Sequence, residues 1–361
     1  MKCIIIGAGA TAFCDIANPD RRPPLVKVED FLRIVKAPLD YSIPSSPAGE
    51  SFLNPFFCWA FEYFSDDIEE FFTILHLISK ENSYAGIHEK LKEKYNGEPW
   101  LERALLVASK LNFSILPRNI LTFILGLVRE EIMFCLGTSG SRPQRYQNQP
   151  LSDQHCKLMR GLGPGDSVVS FNYDTVADYA LLNEYLLSTE SFKNPFLSPT
   201  RLPEGYEARN EPVFLFKPHG SFNWFSPLGD PGKVGVFFGR LFENTEFLTP
   251  TPLILPYHAK KVIVDDHPVF KMELDLSLRA IGSSDQVVLV GKQFISRDGD
   301  LCERITNVCS GKKRSVIYVN PQSADDPWLL HHDDLFNASN RTDHQRLFAN
   351  LSEFLGNDPT P

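Results

Sequence analysis

The sequence predicts an α/β fold: an open, mostly parallel sheet with helices on both faces, plus an inserted all-helical module. Three observations predict it. Short apolar runs rich in β-branched residues alternate with segments of helical periodicity. Polar motifs, several of them containing glycine, follow directly on the last residue of those runs, where an open parallel sheet binds its ligands. Residues 40–160 carry helical, aromatic-rich segments instead of strand patterns.

The elements follow in order. Residues 2–6 are continuous, apolar and isoleucine-rich, as in a strand buried on both faces. Prolines make 18–25 a loop, 28–35 has a helical pattern, and 38–55 is a second loop rich in Pro and Ser. The segments 56–79, 100–112 and 119–136 read as helices, the last with Pro117 just ahead of its start. Their aromatic residues pack helix on helix, and Asp66, Asp67, Glu69 and Glu70 give the first a solvated side. The stretch 161–166, GLGPGD, breaks this pattern. A second strand at 167–171 leads into a helix over 176–187. Residues 191–212 are loop and 212–216 a third strand. The Gly- and Pro-rich stretch 225–262 reads as loops and short hairpins. A helix over 269–281 precedes a fourth strand at 287–290, a helix over 301–309 precedes a fifth at 315–319, and 343–355 reads as a closing helix. The expected division is a nucleotide domain at 1–39 and 161–361 and a helical module at 40–160.

Composition excludes some functions. A formal net charge of −9 argues against a surface that coats nucleic acid, which needs clustered Lys and Arg; no direct sequence-specific nucleic-acid binding is expected. The opening apolar run is too short for a secretory signal. The most apolar later stretch, 120–136, is interrupted by Arg129, Glu130 and Glu131 and is too short and charged to span a bilayer. No membrane association and a cytoplasmic location are expected. The seven cysteines show no C-x-x-C spacing of a zinc knuckle or redox pair, so reduced thiols and no metal are expected.

Three strand-end motifs carry candidate chemistry. Gly7-Ala8-Gly9-Ala10-Thr11 follows the first strand, and glycines let a backbone turn sharply and approach a phosphate. The dinucleotide fingerprint G-x-G-x-x-G is incomplete because position 12 is Ala12, and no acidic residue stands about twenty residues on at the end of a second strand. That disfavours a dehydrogenase. Asn172-Tyr173-Asp174 follows the second strand: Asn172 offers donors and acceptors to a ribose hydroxyl or a water, and Asp174 either orients that loop or caps the next helix. Lys217-Pro218-His219-Gly220-Ser221 follows the third strand, and His219 is able to accept a proton near neutral pH. Four other groups have simpler readings. Asp298 and Asp300 suit a turn and helix start. His331-His332-Asp333-Asp334 suits a solvated turn more than a metal site. Asp153, His155 and Cys156 lack a nucleophile elbow. Arg21 and Arg22 face phosphate or water equally well.

The ordered set GAGAT, FNYDT, KPHGS, VVLVGKQF and VIYVNP resembles the sirtuin family over 1–39 and 161–330. The resemblance implies a Rossmann-like domain. It implies that Gly7, Ala8, Gly9 and Thr11 grip NAD phosphates and that Asn172 and Asp174 line the nicotinamide-ribose pocket. It also implies that His219, with Gly220, is the catalytic histidine and that Gly291 and Asn320 close on the adenosine side. Arg22-Pro23-Pro24-Leu25, Ser221-Phe222-Asn223-Trp224, Leu255-Pro256-Tyr257 and His267-Pro268 are similar to the divergent bacterial sirtuin-like proteins of antiphage defence. The departures are the missing Cys pairs of the zinc module, Phe171 in place of a glutamine, and Gly291-Lys292-Gln293 in place of Gly-Thr-Ser. The resemblance therefore implies an NAD+ hydrolase that releases nicotinamide and ADP-ribose, with NAD as substrate and no zinc. It further implies a homo-oligomer gated by a separately encoded HerA-type ATPase or a phage-derived trigger. The competing readings are a deacylase or ADP-ribosyltransferase of the same fold, a non-catalytic NAD or ADP-ribose scaffold, and an unrelated oxidoreductase.

Overall fold

The structure is a computed structural model. It describes residues 1–7, 9–10, 14, 55–56, 58–60, 62–64, 68–79, 86–111, 151–201, 206–208, 212–227, 233–238, 248–250, 267–292, 294, 299–319, 327–338, 345–348 and 351–357. The chain divides into two compact units, one of 1–23, 133–253 and 264–361, the other of 24–132 and 254–263.

The first unit is built on a Rossmann-like sheet. Its strands are β1 (Lys2–Ile6), β2 (Ser167–Ser170), β4 (Phe214–Phe216), β8 (Gln286–Val290), β9 (Ser315–Val319) and β10 (Gln345–Phe348). They lie in the order β10-β9-β8-β1-β2-β4 and every pairing is parallel. The apolar runs explain the centre: Cys3 to Ile6, Val168, Val169, Val287 to Val290 and Val316 to Val319 are all buried. Each such side chain contributes on the order of 1.5–3 kcal/mol relative to exposure.

From β1 the chain adds β2 and β4 on one side, then β8, β9 and β10 on the other. The two sets of crossovers run in opposite directions, and their right-handedness places their helices on opposite faces. One set comprises α4 (Asp153–Arg160) packed on α5 (Val176–Asn183), with α9 (Leu351–Asn357) against α4. Arg160 and Glu184 join the ends of α4 and α5 by a bidentate ion pair at 2.9 and 3.1 Å. The other set is α6 (Pro268–Ser283), α7 (Gly299–Cys309) and α8 (Pro327–Phe336), packed in series. A second sheet, in the order β3-β6-β5-β7, holds β3 (Leu197–Arg201), β5 (Trp224–Pro227), β6 (Val234–Phe237) and β7 (Leu248–Pro250).

Arg314, just before β9, is buried and gathers three helix ends. Its guanidinium donates to the carbonyls of Gly282 (3.0 Å) and Ser284 (3.4 Å) at the end of α6, Cys309 (3.3 Å) at the end of α7, and Phe336 (2.8 Å) at the end of α8. Helix C-termini expose carbonyls that no intrahelical N–H reaches and carry partial negative charge. A single buried cation satisfies all three.

The second unit contains α1 (Ile68–Ser79), α2 (Ile87–Lys94) and α3 (Leu101–Lys110), α3 packing on both others. Phe56, Phe64, Phe71 and Phe72 form its buried aromatic core. The Arg103 guanidinium lies 4.5 Å from the Phe64 ring centre and pairs with Glu70 at 2.7 Å.

Four sequence expectations differ from the structure. The 343–355 segment is not one helix: Gln345–Phe348 pairs in parallel with β9, because backbone groups of a sheet edge offer partners that outweigh local helix preference. Leu197–Arg201 within the expected 191–212 loop is a strand paired with β6. Residues 331–334 are not a solvated turn but part of α8, where Leu329, His332, Leu335 and Phe336 form a buried face at helical spacing; counting the histidine as polar hid the period. Helices α2 and α4 were not expected. The helices expected at 28–35 and 119–136 lie outside the described residues. Cys3, Cys156 and Cys309 are buried thiols whose burial pushes their pKa up. Among the described residues no helix is long and apolar enough to cross a membrane, and no group of three or more His, Cys, Asp or Glu is placed to hold a metal ion.

Replacing Arg314 with methionine leaves several buried carbonyls unpaired and is expected to cost at least roughly 3 kcal/mol. Urea unfolding is expected to show a lower midpoint with an unchanged slope; a midpoint within error of wild type contradicts the role assigned to this guanidinium.

Candidate functional site

Because β1, β2, β4 and β8 are parallel, their carboxyl ends lie along one edge. The first residues beyond them are Gly7, Phe171, Lys217 and Gly291 in turn. β1 is flanked by β2 on one side and β8 on the other. The strand order reverses there, and a crevice opens beyond the strand ends at such a point.

The glycine loop leaves β1 and crosses the loop after β8 at backbone contact. A Cβ on Gly7 would stand 2.6 Å from the Gly291 oxygen and from Lys292 Cα, and one on Gly9 would stand 3.0 Å from Gly291 Cα. Gly291, at φ +60°, would place a Cβ 2.0 Å from the Ala10 nitrogen. Only residues without side chains allow this crossing. The N–H groups are engaged within it: Gly7 donates to Val290 (2.9 Å), Gly9 to Gly291 (3.0 Å) and Ala10 back to Gly7 (2.9 Å).

Asn172 binds this loop to the end of β2. It is buried, and its Nδ2 donates to the Gly7 carbonyl at 3.0 Å. Asp174, also buried, accepts from the Val176 N–H through Oδ1 at 3.0 Å, satisfying a first-turn donor of α5. Of the two roles open to Asp174, this contact is the one at the start of the next helix.

The loop after β4 is fixed by a buried ammonium. Lys217 is 1% exposed. Its Nζ donates to the Asp174 carbonyl, to Asp178 Oδ2 at 2.8 Å and to Ser221 Oγ at 2.6 Å. Asn223 Nδ2 donates to the other oxygen of Asp178 at 3.3 Å. The Phe222 N–H adds a bond to the Tyr173 carbonyl at 2.9 Å. From α6, Glu273 Oε2 accepts the Lys217 backbone N–H at 2.7 Å. Burial pushes the Glu273 carboxyl up to about 7; the Lys217 N–H, the Asn194 side chain and the Lys217 charge pull the other way.

His219 stands two residues beyond this anchor, half-buried. Its ring meets Phe171 edge-on at 5.1 Å and stacks on Tyr173 at 6.1 Å. Gly220, at φ +81°, turns the chain with its N–H bonded to the Lys217 carbonyl at 2.9 Å. Phe171 also meets Phe294 edge-on at 5.8 Å, and Lys292 Nζ lies 5.1 Å from the Phe171 ring centre and 4.8 Å from that of Phe294. The Phe294 N–H is in turn accepted by Nε2 of the buried His332 at 3.0 Å.

The structure thus brings Gly7, Gly9, Asn172, Asp174, His219, Gly220 and Gly291 to one sheet edge. Ala8, Thr11 and Asn320 lie outside the described residues, as do Arg21, Arg22 and Asp298. Asp300 is exposed at the start of α7. Asp153, His155 and Cys156 lie on α4, where Ser152 Oγ meets His155 Nδ1 at 2.9 Å. Asp333 accepts the Tyr318 hydroxyl at 2.7 Å. The sequence alone assigns no role to Lys217 or Lys292, though both stand within its motifs, and does not single out Glu273. A lysine directly after an apolar strand was the signal for the first; nothing local marked Glu273.

Two expectations follow. Adding a methyl at Gly291, by Gly291→Ala, meets both the positive φ and the Ala10 backbone and is expected to destabilise by roughly 3 kcal/mol in urea unfolding; a neutral effect contradicts the backbone crossing. Glu273 has its ordinary value near 4.5 when unfolded and about 7 when folded. Between those values the folded state holds the extra proton. Stability from this group is therefore full at low pH and is lost as pH rises toward 7, by roughly 3 kcal/mol. Glu273→Gln keeps an acceptor for the Lys217 N–H without a titration. Its stability relative to wild type is expected to rise between about pH 5 and pH 8; parallel pH profiles contradict it.

Comparison with known proteins adds little to this geometry. No family model matches the chain, and no characterised protein matches it in sequence. Among solved structures the chain is similar to one described as "Structural Basis for the Mechanism and Regulation of Sir2 Enzymes", with 13% identity, a TM-score of 0.33, and coverage of 78% of this chain and 92% of that one. A superposition that loose carries no argument about the site; the parallel sheet and its strand ends stand on their own.

Proposed function

We propose that this protein is an NAD+ hydrolase that cleaves the nicotinamide–ribose bond. The observation that carries the reading is that Asn172 and His219 follow the adjacent strands β2 and β4 at the sheet edge that carries the glycine loop. Asn172 is tied to that loop at 3.0 Å, and His219 packs on Phe171, the residue before Asn172.

The chemistry needs little beyond position. As the bond between ribose C1′ and the nicotinamide nitrogen breaks, its electron pair goes to nicotinamide, which leaves neutral, while C1′ gains oxocarbenium character. A water oxygen bonds to C1′, and the proton that it loses passes to the His219 imidazole and on to solvent. Asn172, held in place at the Gly7 carbonyl, orients this water or the ribose hydroxyls. Asp174 takes no proton in this scheme: bonded to the Val176 N–H, it steadies the Asn172 loop. The buried rings of Phe171 and Phe294 limit bulk water. The products are nicotinamide and ADP-ribose.

Unchecked NAD+ hydrolysis is lethal to a cell, so the activity is gated. We place the protein in the cytoplasm as an NAD-depleting effector of bacterial antiphage defence. In this reading it assembles as a homo-oligomer and is switched by a separately encoded HerA-type ATPase or a phage-derived trigger, with the aromatic helical unit as the assembly surface. A second reading, a non-catalytic NAD or ADP-ribose sensor, draws on the fact that Asn172 and Asp174 are both engaged in holding loops.

Nicotinamide release from NAD+, followed with the protein alone and with the product of its neighbouring gene, separates the two. The hydrolase reading expects release in at least one condition, and its loss in both His219→Ala and Asn172→Ala with each variant still folded. NAD+ binding without release in either condition is the outcome of the sensor. Release that survives both substitutions moves the catalytic groups elsewhere.

A further inference from the structure

The glycine loop raises a problem of charge. Loops of this kind hold a phosphate through backbone N–H groups. Here the N–H groups of Gly7, Gly9 and Ala10 are engaged by Val290, Gly291 and Gly7. The glycines are required by the crossing with Gly291 and Lys292, which a Cβ at Gly7 would meet at 2.6 Å. A chain of net charge −9 repels a dinucleotide's pyrophosphate at long range, so a site for it needs a local cation.

The crossing itself supplies one. It sets Lys292 directly against the glycine loop, at the switch point. The Lys292 ammonium lies 4.8 Å from the centre of Phe294 and 5.1 Å from that of Phe171. These rings are 0% and 6% exposed, and their quadrupoles favour a cation at that distance. Phe171 is also the ring that His219 meets edge-on. One aromatic ring therefore separates a held ammonium from the histidine.

We infer that Lys292 is the residue that binds the pyrophosphate of the dinucleotide, in place of the engaged glycine amides. The inference rests on the proposed NAD+ reading and deepens it. The recognised chemistry is a diphosphate, with the ammonium donating to its oxygens and neutralising part of its charge. A nucleoside without phosphates gains nothing from Lys292.

Calorimetric titration with ADP and with adenosine tests this without requiring turnover. Wild-type protein is expected to bind ADP more tightly than adenosine. Lys292→Gln is expected to weaken ADP roughly 10- to 100-fold and leave adenosine unchanged. Lys292→Arg, which keeps the charge, is expected to retain most of the preference for ADP, so the test stands even if the glutamine variant fails to fold. An unchanged ADP-to-adenosine ratio in folded Lys292→Gln, or a preference lost as fully in Lys292→Arg as in a neutral variant, overturns the inference while leaving the NAD+ reading intact. Wild-type protein that binds neither ADP nor NAD+ overturns that reading and this inference with it.

Discussion

A lysine ammonium with almost no solvent contact sits where β2 and β4 end. Lys217 Nζ reaches the Asp174 carbonyl, the Asp178 carboxylate and the Ser221 hydroxyl, and so binds the loop after one strand to the loop after the next. A charge buried this deeply is tolerable only with a full set of partners, and removing one partner of such a pair typically costs roughly 3–5 kcal/mol. The geometry of the site follows from that constraint. Asp178 lies on α5, so the helix, the Asn172 loop and the His219 loop have one fixed relation. Pro218 and Gly220 then carry the chain from the anchored lysine through His219.

The second constraint is backbone contact. Gly7, Gly9 and Gly291 permit the loops after β1 and β8 to cross with their amides and carbonyls bonded to one another. A glycine-rich strand end is commonly read as a phosphate cradle; here its described amides serve the crossing first. Asn172 belongs to the same construction, because its amide caps the Gly7 carbonyl. Position and charge are thus supplied by different residues: the glycines bring the strands' ends together, and side chains around them carry the polar chemistry.

Much of this was legible in the sequence. Five of the six strands of the parallel sheet announced themselves as apolar runs, since strands buried in such a sheet need no polar alternation, and the motifs at their ends placed Gly7, Asn172, His219 and Gly291 on one edge. The illegible parts share a physical cause. Gln345–Phe348 takes its conformation from the edge of β9, and α8 hides a buried histidine in its apolar face. Glu273 meets the Lys217 amide across 56 residues of chain, and Arg314 gathers three helix ends that only the fold brings together. Long-range polar contacts leave no local period. Lys292 was visible as a departure from a motif, but its meaning depends on the rings that hold it.

The most direct measurement is a crystal structure with carba-NAD, in which a carbocycle replaces the nicotinamide ribose ring and blocks cleavage. The account predicts the dinucleotide along the edge formed by β1, β2, β4 and β8. Its C1′ region should lie between Asn172 and His219, with room for one water roughly 3–3.5 Å from that carbon. Binding elsewhere, or a reacting carbon out of reach of both side chains, would contradict it.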